Sequence, residues 1–340
     1  MAISGRGVRK DAIAVLVLGM LAMCFYGSES SAQTIQKPEW GKRAALIEPN
    51  SEMAVAYLDG KIYVVGGYPS TRVSVDTVQV YDTKSDTWSL TTHYPTTINH
   101  SSAVGLDGIL YVIGGQTNAG GRRTKSLYTS AVNAFDPRTK KWTSRAPMPT
   151  ARSAMAHGVI GGKIYVAGGR PPRGRDFAVY DPKADKWTVL PDLPTPRNHM
   201  AAAAIDGKLY VAGGRFGGGF RSKITAVLEV YDPVSNRWSA RRPMSYERSG
   251  NNGIEVNGCF HTFGGEHPTA SPTGVFPHHE VYNPKTDRWT RLPDMPFPVH
   301  GVTGLVYLNG WIHLPGGGTR MGGSSGSTLH QVVRPAMKCG

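Results

Sequence analysis

The chain has 340 residues, 42 of them Gly and 24 Pro, with a formal net charge of +14. That length sustains one large core, and so many turn formers without a sustained helical period exclude a helical bundle and predict an all-β fold. Three cysteines are too few for a Cys-rich metal site or a disulfide scaffold.

Arg6, Arg9 and Lys10 precede an apolar run from Ala12 to Phe25, and a polar stretch then ends in Ser30-Ser31-Ala32. These are the three zones of a secretory signal, so residues 1–32 are expected to be a signal peptide and 33–340 a single exported domain, periplasmic or secreted. The apolar run is short for a membrane span, which predicts no transmembrane segment in the mature chain. An uncleaved anchor, or a lipoprotein suggested by Leu21-Ala22-Met23-Cys24, is the alternative. Loss of the leader removes three positive and two negative charges and leaves a strongly basic domain. Outside the cytoplasm such a domain meets anionic glycans, acidic small molecules or acidic protein partners, and no nucleic acid is expected. Cys259 and Cys339 remain. An oxidising compartment allows them to pair, whereas the apolar setting Gly258-Cys259-Phe260-His261 suits a buried free thiol equally well.

Beyond the leader the chain repeats. Between Trp187 and Trp238 lie short apolar runs separated by turn residues such as Asp206-Gly207, which read as four antiparallel strands. Glycine pairs recur at Gly66-Gly67, Gly114-Gly115, Gly168-Gly169, Gly213-Gly214, Gly264-Gly265 and Gly316-Gly317. After each of the first five pairs comes Tyr81, Phe135, Tyr180, Tyr231 or Tyr282, and each of these precedes a Trp (Trp88, Trp142, Trp187, Trp238, Trp289) by a constant hairpin's length. No Trp follows Gly317, but Trp40 stands in the same register before Gly66 as its counterparts do before later pairs. The N-terminal segment is therefore predicted to supply the last strand of a sixth unit whose other strands are C-terminal, an arrangement that removes free sheet edges.

The double glycines, the spaced Tyr and Trp and the N-terminal closing strand resemble those of the kelch-repeat β-propellers, galactose oxidase-like in superfamily, over about Pro38 to Arg334. The resemblance implies a six-bladed kelch propeller, a fold that hosts interaction modules as well as sugar oxidases and epimerases. It also nominates two columns of binding residues: those entering the innermost strand and those just after the glycine pair. Ten residues after each Trp, and eleven after Trp289, stand Asn50, Ile98, Arg152, Arg197, Arg248 and His300. Two positions on come Glu52, His100, Ala154, His199, Gly250 and Val302, and Arg170, Arg215 and Glu266 follow glycine pairs. The loops there vary in length and are rich in Arg and Gly, as binding loops on a rigid scaffold are. Arginines gathered around one mouth suit a carboxylate, sulfate or phosphate. The alternative is that the strand-entry arginines brace neighbouring loops through backbone carbonyls.

The expectation is thus a monomeric binding protein for an acidic ligand, with no cofactor and no metal. The enzyme alternative is an acidic-sugar epimerase resembling kelch-type sialic acid epimerases, with Glu52, Glu266, His100 or His199 carrying protons. A galactose oxidase-like copper site has no matching Cys, Tyr and His set here, and His278-His279 or His261 with His267 offers no convergent ligand group.

Overall fold

Each repeat owes its first hairpin to an Asp-Gly, Asn-Gly or Gly-Gly turn with both residues in the left-handed region, as at Asp206 and Gly207 (φ 47° and 72°). That geometry matches the twist of the strands it joins. In every repeat but the sixth the second hairpin is set by an Asx turn, as where the Asp232 carboxylate accepts from the Val234 N–H at 2.9 Å. The computed structural model describes residues 38–117 and 127–339, which fall within one unit, Ile35–Gly340. The proposed signal peptide and the Gly120-Gly121-Arg122-Arg123 loop lie outside the described residues.

The fold is an all-β, six-bladed propeller. Blade 1 comprises Met53–Leu58, Lys61–Val65, Val75–Asp82 and Thr87–Ile98; blade 2, Ser102–Leu106, Ile109–Ile113, Val132–Asp136 and Lys141–Arg145. Blade 3 comprises Ala156–Ile160, Lys163–Ala167, Phe177–Asp181 and Lys186–Val189; blade 4, Ala201–Ile205, Lys208–Ala212, Leu228–Asp232 and Arg237–Arg241; blade 5, Asn252–Val256, Cys259–Phe263, His279–Asn283 and Arg288–Leu292. Blade 6 takes Val306–Leu308, Trp311–Pro315 and His330–Arg334 from the C-terminal part of the chain and Glu39–Lys42 as its outer strand, with Trp40 opposite Val333. Among the described residues no helix is long and apolar enough to cross a membrane.

The constant spacing of aromatic and Trp is a register. Tyr81 faces Trp88 across the outer hairpin, and the same pairing joins Phe135 to Trp142, Tyr180 to Trp187, Tyr231 to Trp238 and Tyr282 to Trp289. These residues also tie blades together. The Trp187 indole N–H donates to the Ala146 carbonyl at 2.9 Å, and Asp185, held by the Tyr180 hydroxyl, accepts from the Ala146 N–H. Wedges of Val, Ile, Ala and Tyr fill the space between blades, as where Tyr165 and Phe177 of blade 3 meet Leu209 and Tyr231 of blade 4. The glycine pairs sit where no side chain fits: a Cβ on Gly264 would stand 1.9 Å from the Val299 carbonyl oxygen.

Around the axis the chain closes a cycle of six backbone hydrogen bonds. The N–H of His100 donates to the carbonyl of Glu52, Ala154 to His100, His199 to Ala154, Gly250 to His199, Gly301 to Gly250, and Glu52 to Gly301, over 2.5–3.0 Å. All six residues lie in the left-handed region, with φ from 51° to 67°. For the four that are not glycine this costs about 1 kcal/mol or more apiece. Gly301 in this cycle corrects the expected register of the last blade. The spacing from Trp289 is ten, as elsewhere, so Val299 takes the strand-entry place and His300 the position after it. The innermost strand of that unit is also split: Val302–Thr303 pairs parallel with Met53–Ala54 of blade 1, and only Val306–Leu308 belongs to blade 6.

Candidate functional site

The two columns separate in the structure. The strand-entry residues point into the blades: Arg152, Arg197 and Arg248 are at most 1% exposed. Each donates to the carbonyl of the first glycine in the next pair, Gly168 at 3.1 Å, Gly213 at 2.9 Å and Gly264 at 2.9 Å. Asn50 does the same to Gly66 at 2.5 Å. Arg197 is further paired with Glu229, and Arg248 with Glu280 at 2.8 Å. Burial pushes the guanidinium pKa of Arg152 and Arg248 down to about 10. These residues brace backbone that would otherwise leave buried carbonyls unpaired, so the ring of five arginines around one mouth reduces to Arg170 and Arg215.

The other column converges on the axis. Glu52, His100 and His199 occupy the hydrogen-bonded cycle, where Ala154, Gly250 and Gly301 leave room for their side chains. Each of the three is at most 6% exposed. Glu52 Oε2 lies 3.1 Å from His100 Nε2, and the two imidazoles meet edge to face with centroids 4.9 Å apart. From just after their glycine pairs come Arg170, whose Nη2 lies 3.0 Å from His100 Nε2 and 3.5 Å from His199 Nε2, and Arg215, whose Nη2 lies 2.6 Å from His199 Nε2. Arg215 also pairs with Glu266, which accepts from the Gly322 N–H at 2.8 Å. His300 donates from Nε2 to the Arg320 carbonyl at 2.8 Å, leaving its Nδ1 at 3.7 Å from both Glu52 and Glu266.

Neighbouring asparagines fix the tautomers. Asn198 spends its amide N–H groups on the carbonyls of Arg215 and Gly217, so its oxygen accepts from His199 Nδ1 at 2.5 Å. Asn99 donates to Ser74 and presents its oxygen to His100 Nδ1. Both imidazoles therefore turn an unprotonated Nε2 to the axis. Burial, then the nearby Arg170 and Arg215, holds the pKa of both rings well below the usual histidine value. Burial also raises the Glu52 carboxyl, against the lowering influence of His300. Glu266 behaves oppositely: burial pushes it up, but His300, Arg215 and the Gly322 N–H together hold it below the usual carboxylate range.

Two cavities flank this cluster. On the loop side a polar cavity of about 70 Å³ is lined by Glu52, Tyr68, His100, Arg170, Arg215 and Glu266, under Gly218-Gly219-Phe220 and Gly322-Gly323. On the other side an axial channel of about 310 Å³ runs between the innermost strands, past Val55, Ala103, Met155 and Ala203. Of the nominated residues, the structure brings together Glu52, His100, His199, Arg170, Arg215, Glu266 and His300. Asn99, Asn198 and Tyr68 were not nominated, although the dipeptide Asn-His recurring at Asn99-His100 and Asn198-His199 is a visible signal. The Cys259 and Cys339 sulfurs are joined as a disulfide.

Comparison with known proteins agrees with this architecture. The family model described as the KLHDC2/KLHL20/DRC7 Kelch-repeats domain matches residues 25–169 and 100–317. Kelch-like protein terF of Aspergillus terreus is 32% identical over 348 residues, covering 95% of this chain and 73% of the relative. Kelch-like protein 35 of Mus musculus is 33% identical over 135 residues, 40% of this chain and 21% of that protein. The solved structure of YjhT superposes with a TM-score of 0.70 at 16% identity, covering 85% of this chain and 95% of that one. With its fold and repeats matched over most of its length, the chain belongs to the kelch-repeat family.

Proposed function

We propose that this kelch propeller binds a small acidic ligand at the axis of its loop face, through Arg170 and Arg215. One observation carries the reading. The inward Nη2 groups of both arginines donate to neutral imidazoles, at 3.0 Å and 2.6 Å. A guanidinium binds an anionic oxygen roughly twice as strongly as a neutral acceptor, so a carboxylate entering the cavity would take these donors over. The loop-side cavity, about 70 Å³, exceeds the roughly 10–15 Å³ that one water needs and has room for a carboxylate. The rest of a ligand would lie against Gly218-Gly219-Phe220 and Gly322-Gly323, which border the cavity. Left-handed backbone at Glu52, His100 and His199 supports the reading, since strain of this kind gathers at ligand sites. Export is part of the proposal, supported by the apolar leader and by the disulfide, which persists in oxidising compartments. Recognition of a protein through an acidic side chain of that partner uses the same chemistry.

Proton transfer on an acidic sugar is the second reading, favoured by Glu52 Oε2 at 3.1 Å from His100 Nε2 beside the arginines. Titration calorimetry of the chain with a panel of hydroxy, keto and sugar acids, repeated on Arg170→Gln and Arg215→Gln, tests the binding. Saturable binding that either change weakens by about tenfold or more is expected, the loss of one charge-assisted hydrogen bond. Binding indifferent to both changes, or none, overturns it. NMR of the bound acid separates holding from conversion.

A further inference from the structure

The acceptors that surround Arg170 form a set of their own. A carboxylate oxygen of Glu52, an imidazole nitrogen of His100 and one of His199 all lie within 4.8 Å of one another. The three side chains are buried. They come from different blades, and the backbone cycle holds their Cα atoms in place. Each imidazole donates its Nδ1–H to an asparagine oxygen, the outer-shell bond that orients a metal-binding histidine and keeps its Nε2 lone pair directed at the ion. Three lone-pair donors aimed at one point repel one another unless a proton or a cation lies among them. In the structure two guanidiniums supply that charge: Arg170 Nη2 lies 3.0 Å and 3.5 Å from the two nitrogens, and Arg215 Nη2 lies 2.6 Å from that of His199.

We propose that Glu52, His100 and His199 form a binding site for a divalent transition metal ion, with Arg170 as the internal cation that fills it when no metal is bound. Two imidazoles and one carboxylate select borderline ions such as Fe²⁺, Co²⁺ or Zn²⁺. The other members of the cycle, Ala154, Gly250 and Gly301, contribute no side-chain ligand, so coordination positions stay open towards the axial channel. Displacing Arg170 costs little beyond these contacts: its Nη1 donates only to the Gly218 carbonyl among the described residues, in a glycine-rich loop able to follow it. Arg215 keeps its Nη1 pairing with Glu266, while its Nη2, 2.6 Å from His199 Nε2, must also release that nitrogen for a metal to bind. The site does not depend on the acidic-ligand reading, and a metal-bound state leaves Arg170 free to hold an anion nearby.

Co²⁺ is the probe, because its visible ligand-field bands report nitrogen and oxygen ligation directly. Untagged, metal-stripped full chain is titrated with Co²⁺, beside Arg170→Ala, His100→Asn, His199→Asn and Glu52→Gln. Asn tolerates the left-handed backbone at the histidine positions, and circular dichroism checks each fold. One Co²⁺ per chain is expected, bound about tenfold more tightly by Arg170→Ala, which has one fewer hydrogen-bonded competitor. Each histidine change should abolish the bands, and Glu52→Gln should weaken them. A natively folded Arg170→Ala chain without Co²⁺ bands, or bands that survive both histidine changes, overturns the site. Acid binding by the metal-stripped chain with no Co²⁺ binding would refute this inference and leave the ligand reading standing.

Discussion

Arg248 decides between a binding face and a braced scaffold. It is wholly buried, and its guanidinium donates to the Gly264 carbonyl at 2.9 Å, the His278 carbonyl at 3.2 Å, Thr262 Oγ1 at 2.8 Å and Glu280 Oε2 at 2.8 Å. Arg248→Met keeps much of the stem but removes all four bonds and leaves Glu280, itself fully buried, without its counter-charge. Breaking a buried pair in this one-sided way costs about 3–5 kcal/mol. Orphaned carbonyls carry about 1–3 kcal/mol apiece when fully desolvated, an amount that overlaps with that figure and does not simply add to it. Removing the stranded charge as well, in Arg248→Met/Glu280→Gln, should recover about 1–2 kcal/mol, with the carbonyls still unpaired. Urea unfolding followed by Trp fluorescence at neutral pH, with the disulfide intact and an unchanged slope, measures both differences. The reasoning is refuted if Arg248→Met shifts stability by less than about 1 kcal/mol while weakening acid binding, for that result would return Arg248 to the ligand face. By the same logic, joint replacement of Arg152, Arg197 and Arg248 unfolds the propeller and says nothing about ligands.

Acid should loosen the blades. His313 Nδ1 and His330 Nε2 lie 3.0 Å apart, and His261 and His279 repeat the pairing one blade away. Burial lowers His313 to about 4 and His330 to about 3. A histidine depressed in the fold binds its proton more readily when unfolded, so its stabilisation is complete above about 6.5 and is lost as pH falls towards the folded value. For His313 this amounts to about 1.4 kcal/mol per pH unit between 6.5 and 4. Unfolding midpoints compared at pH 7.5 and 5 should show the drop, and a flat profile would contradict it. Gly301→Ala places a Cβ 2.8 Å from the Glu52 carboxyl carbon at φ +67°, so it should destabilise by about 1–3 kcal/mol and weaken acid binding at the axis. Calorimetry that finds both unchanged would show that Glu52 is not held as described. Cys259 and Cys339 are 80 residues apart, and reducing a loop of that size should cost about 4 kcal/mol. Thermal melts with and without reductant check this, and equal melting points would mean the link constrains nothing.

The repeat was legible because its causes are local or periodic. The aromatic-to-Trp interval is the register of one hairpin, the glycine pairs mark backbone that admits no Cβ, and Trp40 could be placed in the sixth unit by spacing alone. The candidate site was half legible. The same spacing put Glu52, His100 and His199 in one column, and the glycine pairs put Arg170, Arg215 and Glu266 in another. The sequence could not show which columns face the axis. Residues two apart in a strand share a face, yet Arg197 lies inside a blade and His199 at the centre, because a left-handed turn at the cycle intervenes between strand entry and strand.

Repetition along the chain thus determined the number of blades, their strand order and the columns from which a site could be built, since these depend only on spacing and on the conformations that Gly, Asp and Asn allow. Only the tertiary structure decided what each column does. The axis brings residues from every blade within hydrogen-bonding distance, and there burial turned one set of arginines into structural braces and left another facing two neutral imidazoles.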